Sequence, residues 1–243
     1  MTSPNLELAA TAGRADIAPS AVCRDIIETV KLALPMALTQ LGQVAMLTTD
    51  LVMLGRLGDN VIAAASLAHT VFFAAFVVGM GLMSAVSPLA AQAFGARNPR
   101  IVRRALRVGL WAAVLLGLPL TLSLTWGRDI LIFLGQAPDV ATLAHQYLAG
   151  LALCLVPAWA FNAVRGFMGA VNRPEPALWI TLLAIPLSAL LAYALIYGAF
   201  GLPRLELFGA GLATTLVNIT MCASVFWVVA TRRPFKKYHP LGR

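Results

Sequence analysis

Six long stretches of apolar residues, each sufficient to cross a lipid bilayer, constrain this chain of 243 residues more than any other feature. A helix rises 1.5 Å per residue, so about 20 apolar residues cross the roughly 30 Å of hydrocarbon in a membrane. The stretches are apolar on nearly every helical face, which excludes amphipathic surface helices. They lie at about residues 32–54, 61–86, 106–127, 140–162, 177–200 and 207–230.

The composition leads to the same fold class. Hydrophobic residues make up 60% of the chain and charged residues 12%, against about 45–50% and about 25% in soluble domains. These values exclude a soluble enzyme and a disordered chain. The sequence also lacks the short alternating strands of a membrane barrel. We therefore predict an all-α polytopic membrane protein, a bundle of six transmembrane helices.

The second apolar stretch is longer than one bilayer requires. Between residues 59 and 97 the only ionisable side chain is His69. A single straight helix over this interval would exceed the membrane, so it must tilt, protrude or break. Pro88 and the Gly79/Gly81 pair are the expected bend points.

The basic residues predict the orientation of the spans. An even number of spans places both termini on one side of the membrane. Fifteen of the 18 Lys and Arg residues fall on that side, and the other three are Arg56, Arg128 and Arg204. Because positively charged loops remain in the cytoplasm, we expect both termini to be cytoplasmic. The basic residues form no stripe with interleaved aromatics, so nucleic acid is not an expected partner despite the net charge of +8.

This topology divides the chain into three parts. Residues 1–31 are expected to form a cytoplasmic tail, disordered over its first 20 residues or so. Residues 32–230 form the six-helix transmembrane unit. Residues 231–243 form a basic cytoplasmic tail.

Asp50 stands out because the other nine acidic residues lie in tails or loops. A charged Asp at mid-bilayer costs roughly 2.5–3.5 kcal/mol, so it should face a protein interior or a water-filled cavity. Removal from water disfavours the ionised form and so favours proton uptake. Thr39, Gln43 and Met46 lie with Asp50 within about 40° of one helical line. Alternatively, Asp50 lies at the outer end of the span, solvated or capping the turn at Gly55.

Other polar residues in the apolar stretches have weaker signals. His69 can relay protons, but a lone intramembrane His is more often hydrogen bonded to a backbone carbonyl. Asn162 and Asn218 are expected to form hydrogen bonds between helices. Paired carboxylates, H-E-x-x-H and phosphate-binding motifs are missing from the sequence, so neither an enzyme nor a metal or cofactor site is expected.

Several segments resemble the multidrug and toxic compound extrusion (MATE) family, in its bacterial NorM-like branch. The resemblance covers about residues 24–243, and the order of the segments along the chain contributes to it. These segments are 32–35 with 49–58, 79–82 with 88–96, 165–170 with 172–174, and 196–203 with 209–214.

The resemblance implies secondary active efflux, in which H+ or Na+ enters the cell and organic cations leave it. Members of the family have about twelve helices, arranged as two lobes of six around a central cavity. Asp50 occupies the place of a first-helix acidic residue that couples ion binding to drug release. Ser188 and Ala192 occupy places where some members carry Asn and then Asp or Asn. The cavity wall is expected to include Thr39, Gln43, Met46, His69, Asn162 and Ser188.

The resemblance implies that this chain corresponds to the amino-terminal lobe of such a transporter in a bacterial inner membrane. The expected partners are small cationic substrates, membrane lipid, and a second lobe from another copy or a separate chain. Alternatively, the chain is a truncated, non-transporting remnant or an interaction subunit. A lipid-linked saccharide flippase ranks lower, because the basic residues are expected to be confined to loops.

Overall fold

The computed structural model describes residues 19–56, 58–198 and 204–231, and every regular element within these ranges is helical. A short 3-10 turn at Ala152–Cys154 joins the sixth and seventh helices. The nine helices are α1 (Pro19–Gly55), α2 (Asp59–Ser84), α3 (Val86–Gly95), α4 (Pro99–Leu124), α5 (Gly127–Phe133), α6 (Pro138–Leu151), α7 (Leu155–Ala170), α8 (Glu175–Tyr197) and α9 (Glu206–Thr231).

Six segments of these helices are long and apolar enough to cross a membrane, which confirms the predicted fold class. We number them as spans 1 to 6. Helices α2 and α3 together form span 2, and α6 and α7 together form span 4. The spans are Thr29–Gly55, Asn60–Gly95, Pro99–Leu124, Pro138–Ala170, Glu175–Tyr197 and Glu206–Thr231.

Helix α1 begins earlier than the expected boundary of the first tail. It starts at Pro19 and runs without interruption into span 1, so the last part of the segment 1–31 is helical. The expected disorder near the amino terminus and the expected basic tail after residue 231 lie outside the described residues.

Span 2 is broken, which is one of the three outcomes expected from its length. Helix α2 ends at Ser84 and α3 begins at Val86. Pro88 has no N–H to donate to the carbonyl of Ser84, four residues earlier, and its ring crowds that carbonyl. The break therefore lies one turn before Pro88, in agreement with its predicted role.

The glycine pair of span 2 does not break the helix, and its expected role as a bend point stays a prediction. Helix α2 is continuous through Gly79 and Gly81. A Cβ atom at Gly79 would overlap the indole ring of Trp159, whereas nothing lies within 4 Å of one at Gly81. Gly79 therefore allows the close packing of α2 against Trp159.

Span 4 lies at the centre of the bundle. Its helices pack against spans 2, 3 and 6, and its largest side chains, Trp159, Phe161 and Phe167, are fully buried. The Trp159 indole N–H donates to the carbonyl of Phe76 in span 2, at 3.2 Å. Span 4 is thus the common packing partner of spans 2, 3 and 6.

Small residues bring span 6 against span 4 with their backbones in contact. A Cβ atom at Gly150 would lie 2.6 Å from the carbonyl oxygen of Phe208, and one at Gly211 would lie 2.6 Å from that of Tyr147. The hydroxyl of Thr215 donates to the carbonyl of Gly150 at 2.7 Å. In lipid, such small residues allow the van der Waals contact that drives helices to associate.

Candidate functional site

A cavity of about 250 Å³ lies where five of the six spans meet, and span 3 contributes none of its lining residues. Helix α1 supplies one wall, α2 the facing wall, and spans 4, 5 and 6 the remainder. The residues that line it are Gln40, Gln43, Val44, Met46, Leu47, Asp50, His69, Phe72, Phe73, Phe76, Tyr147, Leu151, Cys154, Asn162, Ser188, Thr214, Val217 and Asn218.

Asp50 lies on the wall of this cavity and is removed from bulk solvent. The residue is 4% exposed. Its Oδ2 atom accepts a hydrogen bond from the Thr214 hydroxyl of α9, at 3.0 Å. Its Oδ1 atom is buried and has no hydrogen-bond partner among the described residues. The alternative, in which Asp50 is solvated or caps the turn at Gly55, is therefore wrong.

The hydroxyl of Thr214 has two acceptors within reach. One is Asp50 Oδ2, and the other is the carbonyl oxygen of Ala210 in its own helix, at 3.1 Å. A hydroxyl carries one hydrogen but can also accept hydrogen bonds. Thr214 can therefore donate to an ionised Asp50, or donate to Ala210 while accepting a hydrogen bond from the O–H of a neutral Asp50. The contact persists in both protonation states of the carboxyl group.

The structure places five of the six residues expected on the cavity wall along this cavity: Gln43, Met46, His69, Asn162 and Ser188. Ser188 of α8 is 2% exposed. Their functional roles stay predictions. The hydrogen bonds between helices expected of Asn162 and Asn218 are wrong, because each amide donates to the carbonyl four residues earlier in its own helix, and Asn162 Oδ1 accepts from Arg165 of that helix.

Thr39 does not line the cavity, which corrects the expected wall. Its hydroxyl donates to the carbonyl of Pro35 at 2.7 Å, and the residue is buried. One turn further along, a Cβ atom at Gly42 would lie 2.8 Å from Thr181 Cγ2 of α8. Thr39 and Gly42 therefore share the face of α1 that packs on α8, and Gln40 lines the cavity at this level instead.

Aromatic rings of α2 form one side of the cavity. Phe72 and Phe76 stack with centroids 6.1 Å apart, and His69 stacks on Phe73 at 6.0 Å. His69 forms no hydrogen bond with any other described residue, so the expected bond to a backbone carbonyl is wrong. The wall offers flat apolar surface and electron-rich ring faces.

Arg165 is a second charged group, and it contacts two residues of the cavity wall without lining the cavity itself. It lies within α7 in span 4, so the expectation that the basic residues are confined to loops is wrong. Its Nη1 donates to Gln40 Oε1 of α1 at 3.2 Å. Its Nη2 donates to Asn162 Oδ1 at 2.8 Å. Asn162 and Gln40 both line the cavity.

Sequence reasoning missed Thr214, Gln40 and Arg165. A threonine in an apolar helix normally donates to the carbonyl four residues earlier, so nothing in the sequence distinguishes Thr214 from Thr220, which does only that. Arg165 follows directly after the apolar stretch that ends near Asn162. The charge of Arg165 predicts a loop between Asn162 and Ala170, but this segment is helical.

The chain resembles known proteins along its whole length. The MatE family model matches residues 35–194. A probable multidrug resistance protein NorM of Rhodopseudomonas palustris is 60% identical over 242 residues, which cover 100% of this chain and 51% of that protein. A protein with the same description from Bradyrhizobium diazoefficiens is 59% identical over 218 residues, covering 90% and 47%. The chain therefore spans about half the length of the curated relatives it matches.

Solved structures share its fold. A eukaryotic MATE transporter superposes with a TM-score of 0.81 at 22% identity, over 89% of this chain and 48% of that one. A MATE structure in the bent conformation gives a TM-score of 0.76 at 21% identity, over 85% and 45%. The six-span bundle thus matches about half of each known structure.

Proposed function

The chain belongs to the MatE (multidrug and toxic compound extrusion) family, and from this premise we propose that it forms the amino-terminal lobe of a secondary antiporter. This antiporter exports organic cations in exchange for H+ or Na+. The observation that supports the proposal most directly is the buried Asp50 carboxyl on the cavity wall, whose Oδ1 atom has no partner among the described residues.

The ion and the substrate compete for the charge of Asp50. Ionised Asp50, with Thr214 donating to it, attracts a cation into the cavity. When a coupling ion neutralises the carboxyl group, this attraction is lost and the substrate dissociates. The two ligands thus have opposite preferences for the two states of one group, which is the differential affinity that exchange requires.

The cavity wall favours planar aromatic cations as substrates. Ring faces attract cations, and the stacked Phe72 and Phe76 give the apolar area that an amphiphile buries. The drug resistance named for its curated relatives agrees with this chemistry. No catalytic step is part of the proposed mechanism.

The proposed transporter needs a second lobe and a defined orientation. We propose that another six-span unit closes the cavity, whether it lies on the same polypeptide, a second copy or a separate chain. An even number of spans gives both units the same orientation. With both termini in the cytoplasm of a bacterium, Asp50 lies in the outer half of the inner membrane and Arg165 near its inner side.

The test joins this chain to the half of the Rhodopseudomonas palustris relative that it does not match. The fusion is reconstituted in liposomes, and ethidium export is measured under an imposed pH gradient and, separately, a Na+ gradient. Asp50→Asn is expected to reduce gradient-driven export to background, because an amide cannot ionise. Asp139→Asn, which alters an exposed acid at the start of α6, is expected to leave export unchanged.

Two outcomes contradict the proposal. Normal export by Asp50→Asn removes this carboxyl group from the mechanism. Absence of gradient-driven export by the unmutated fusion supports a non-transporting interaction subunit instead.

A further inference from the structure

Arg165 does not line the cavity itself, but its guanidinium contacts two residues that do, Asn162 and Gln40. It lies five residues before the end of α7 at Ala170, where a long basic side chain can extend to the membrane surface. Its guanidinium instead donates to Asn162 Oδ1, one turn deeper in the span, and to Gln40 Oε1 across the cavity on α1. The residue is half-buried, so its charge is largely shielded from water by the bundle.

The charge of Arg165 has no counter-charge in the described part of the chain. Both of its acceptors are neutral amide oxygens, and no described carboxylate pairs with it. A guanidinium carries five N–H donors in a planar fork that matches a carboxylate or phosphate. Since the two hydrogen bonds occupy two of these donors, the remaining ones can hold an anionic group.

Asp50 and the two residues that contact Arg165 line the same cavity at different levels. Gln40, which contacts Arg165, and Asp50 both line the cavity from α1. Ten residues separate them, or about 15 Å along the helix axis. The wall between them is apolar and aromatic, with Phe72 and Phe76 on the facing helix. This arrangement keeps the two charges from neutralising each other.

We infer that Arg165 is a specificity-determining residue that binds the anionic group of a zwitterionic amphiphile whose amine lies at Asp50. The inference rests on the proposed function and narrows its substrate class. The preferred substrates carry an amine and a carboxylate or other anion, separated by roughly 10–15 Å of apolar or aromatic structure. Gln40 and Asn162 are positioning residues, because they orient the plane of the guanidinium.

The experiment compares two ligands that differ in one charge. The full chain is reconstituted in lipid nanodiscs, and dissociation constants are measured for norfloxacin, which has an amine and a carboxylate, and for its ethyl ester. We expect the acid to bind about 10- to 100-fold more tightly than the ester, as for a charge-assisted hydrogen bond. Arg165→Gln should remove this preference by weakening the acid alone, and ethidium binding should stay unchanged.

Two matched variants complete the comparison. Arg165→Lys keeps the positive charge without the planar fork and should retain a reduced preference for the acid. Arg173→Gln removes an exposed positive charge just beyond α7, and it should keep the full preference.

Three results would overturn the inference. The first is equal binding of acid and ester by the unmutated chain, a comparison that needs no variant to fold. The second is an Arg165→Gln variant that weakens both ligands equally, as a purely structural link between spans 1 and 4 would. The third is loss of the preference in Arg173→Gln. The proposed function is judged separately, by whether Asp50→Asn reduces ethidium binding in the same nanodiscs.

Discussion

At the scale of single residues, the contact between Asp50 and Thr214 connects the first span to the last. The hydroxyl lies 3.0 Å from the carboxyl oxygen and can serve it as donor or acceptor. Ser188 lines the cavity from the fifth span. Two hydroxyl groups and one carboxyl group, contributed by three spans, thus form the polar end of a largely apolar cavity.

Thr214→Val tests this contact because valine keeps the shape of threonine and removes the hydroxyl. A hydrogen bond to a charged group contributes about 1.5–3 kcal/mol. We therefore expect ethidium affinity to fall by about 10- to 100-fold, because the ionised carboxylate loses its donor. Equilibrium binding in nanodiscs measures the change. Thr214→Ser, which keeps the hydroxyl, should stay close to the unmutated chain; equal losses in both variants would refute a role for the hydroxyl.

At the scale of the helices, packing around span 4 depends on glycine residues, which leave space for large side chains of neighbouring helices. Gly79 of α2 accommodates the buried Trp159 ring, whose N–H also donates to α2 at Phe76. Helix α2 carries the aromatic residues of the cavity wall. The contacts of Trp159 with α2 therefore hold that wall in place.

Gly79→Ala and Gly81→Ala form a matched pair on α2. A methyl group at residue 79 overlaps Trp159, while one at residue 81 meets nothing within 4 Å. We expect Gly79→Ala to destabilise the bundle by about 1–3 kcal/mol through overpacking. Gly81→Ala should be neutral or slightly stabilising, since alanine has the higher helix propensity. Thermal unfolding in detergent measures both, and similar unfolding temperatures for the two variants would contradict the packing described for Gly79.

At the scale of the whole molecule, the six spans form one bundle in which the acidic Asp50 and the basic Arg165 lie at different levels. The short helix α5 and the turn after it follow span 3, at the end of the bundle opposite the start of span 1. The loop after α7 follows span 4, at the same end of the bundle as the start of span 1. The proposed orientation assigns the first of these to the periplasm and the second to the cytoplasm.

Single cysteines at exposed loop positions test the orientation. With the native cysteines replaced, Gln136→Cys and Arg173→Cys each place a thiol at an exposed position on one side of the bundle. In intact spheroplasts, a membrane-impermeant maleimide should label residue 136 and leave residue 173 unlabelled until the cells are lysed. The reverse pattern would place both termini outside the cytoplasm.

The spans were predictable from the sequence because apolar length alone sets them. The residues at which the helices begin and end were less predictable. Residues 19–31 carry mixed charges and read as a tail, yet they continue α1. Arg165 was similarly predicted to lie in a loop, but it lies within α7. A charged residue marks the end of an apolar stretch and not necessarily the end of a helix.

The sequence by itself determined the six-helix membrane fold and singled out Asp50, since the bilayer penalises charge and unpaired backbone groups wherever they occur along the chain. The tertiary structure decided which polar groups meet. Thr214 lies 164 residues from Asp50, and Arg165 lies 125 residues from Gln40. Such pairs depend on the rotation of each helix about its axis. Packing of small and large side chains sets that rotation, as Gly42 against Thr181 does when it turns Thr39 away from the cavity.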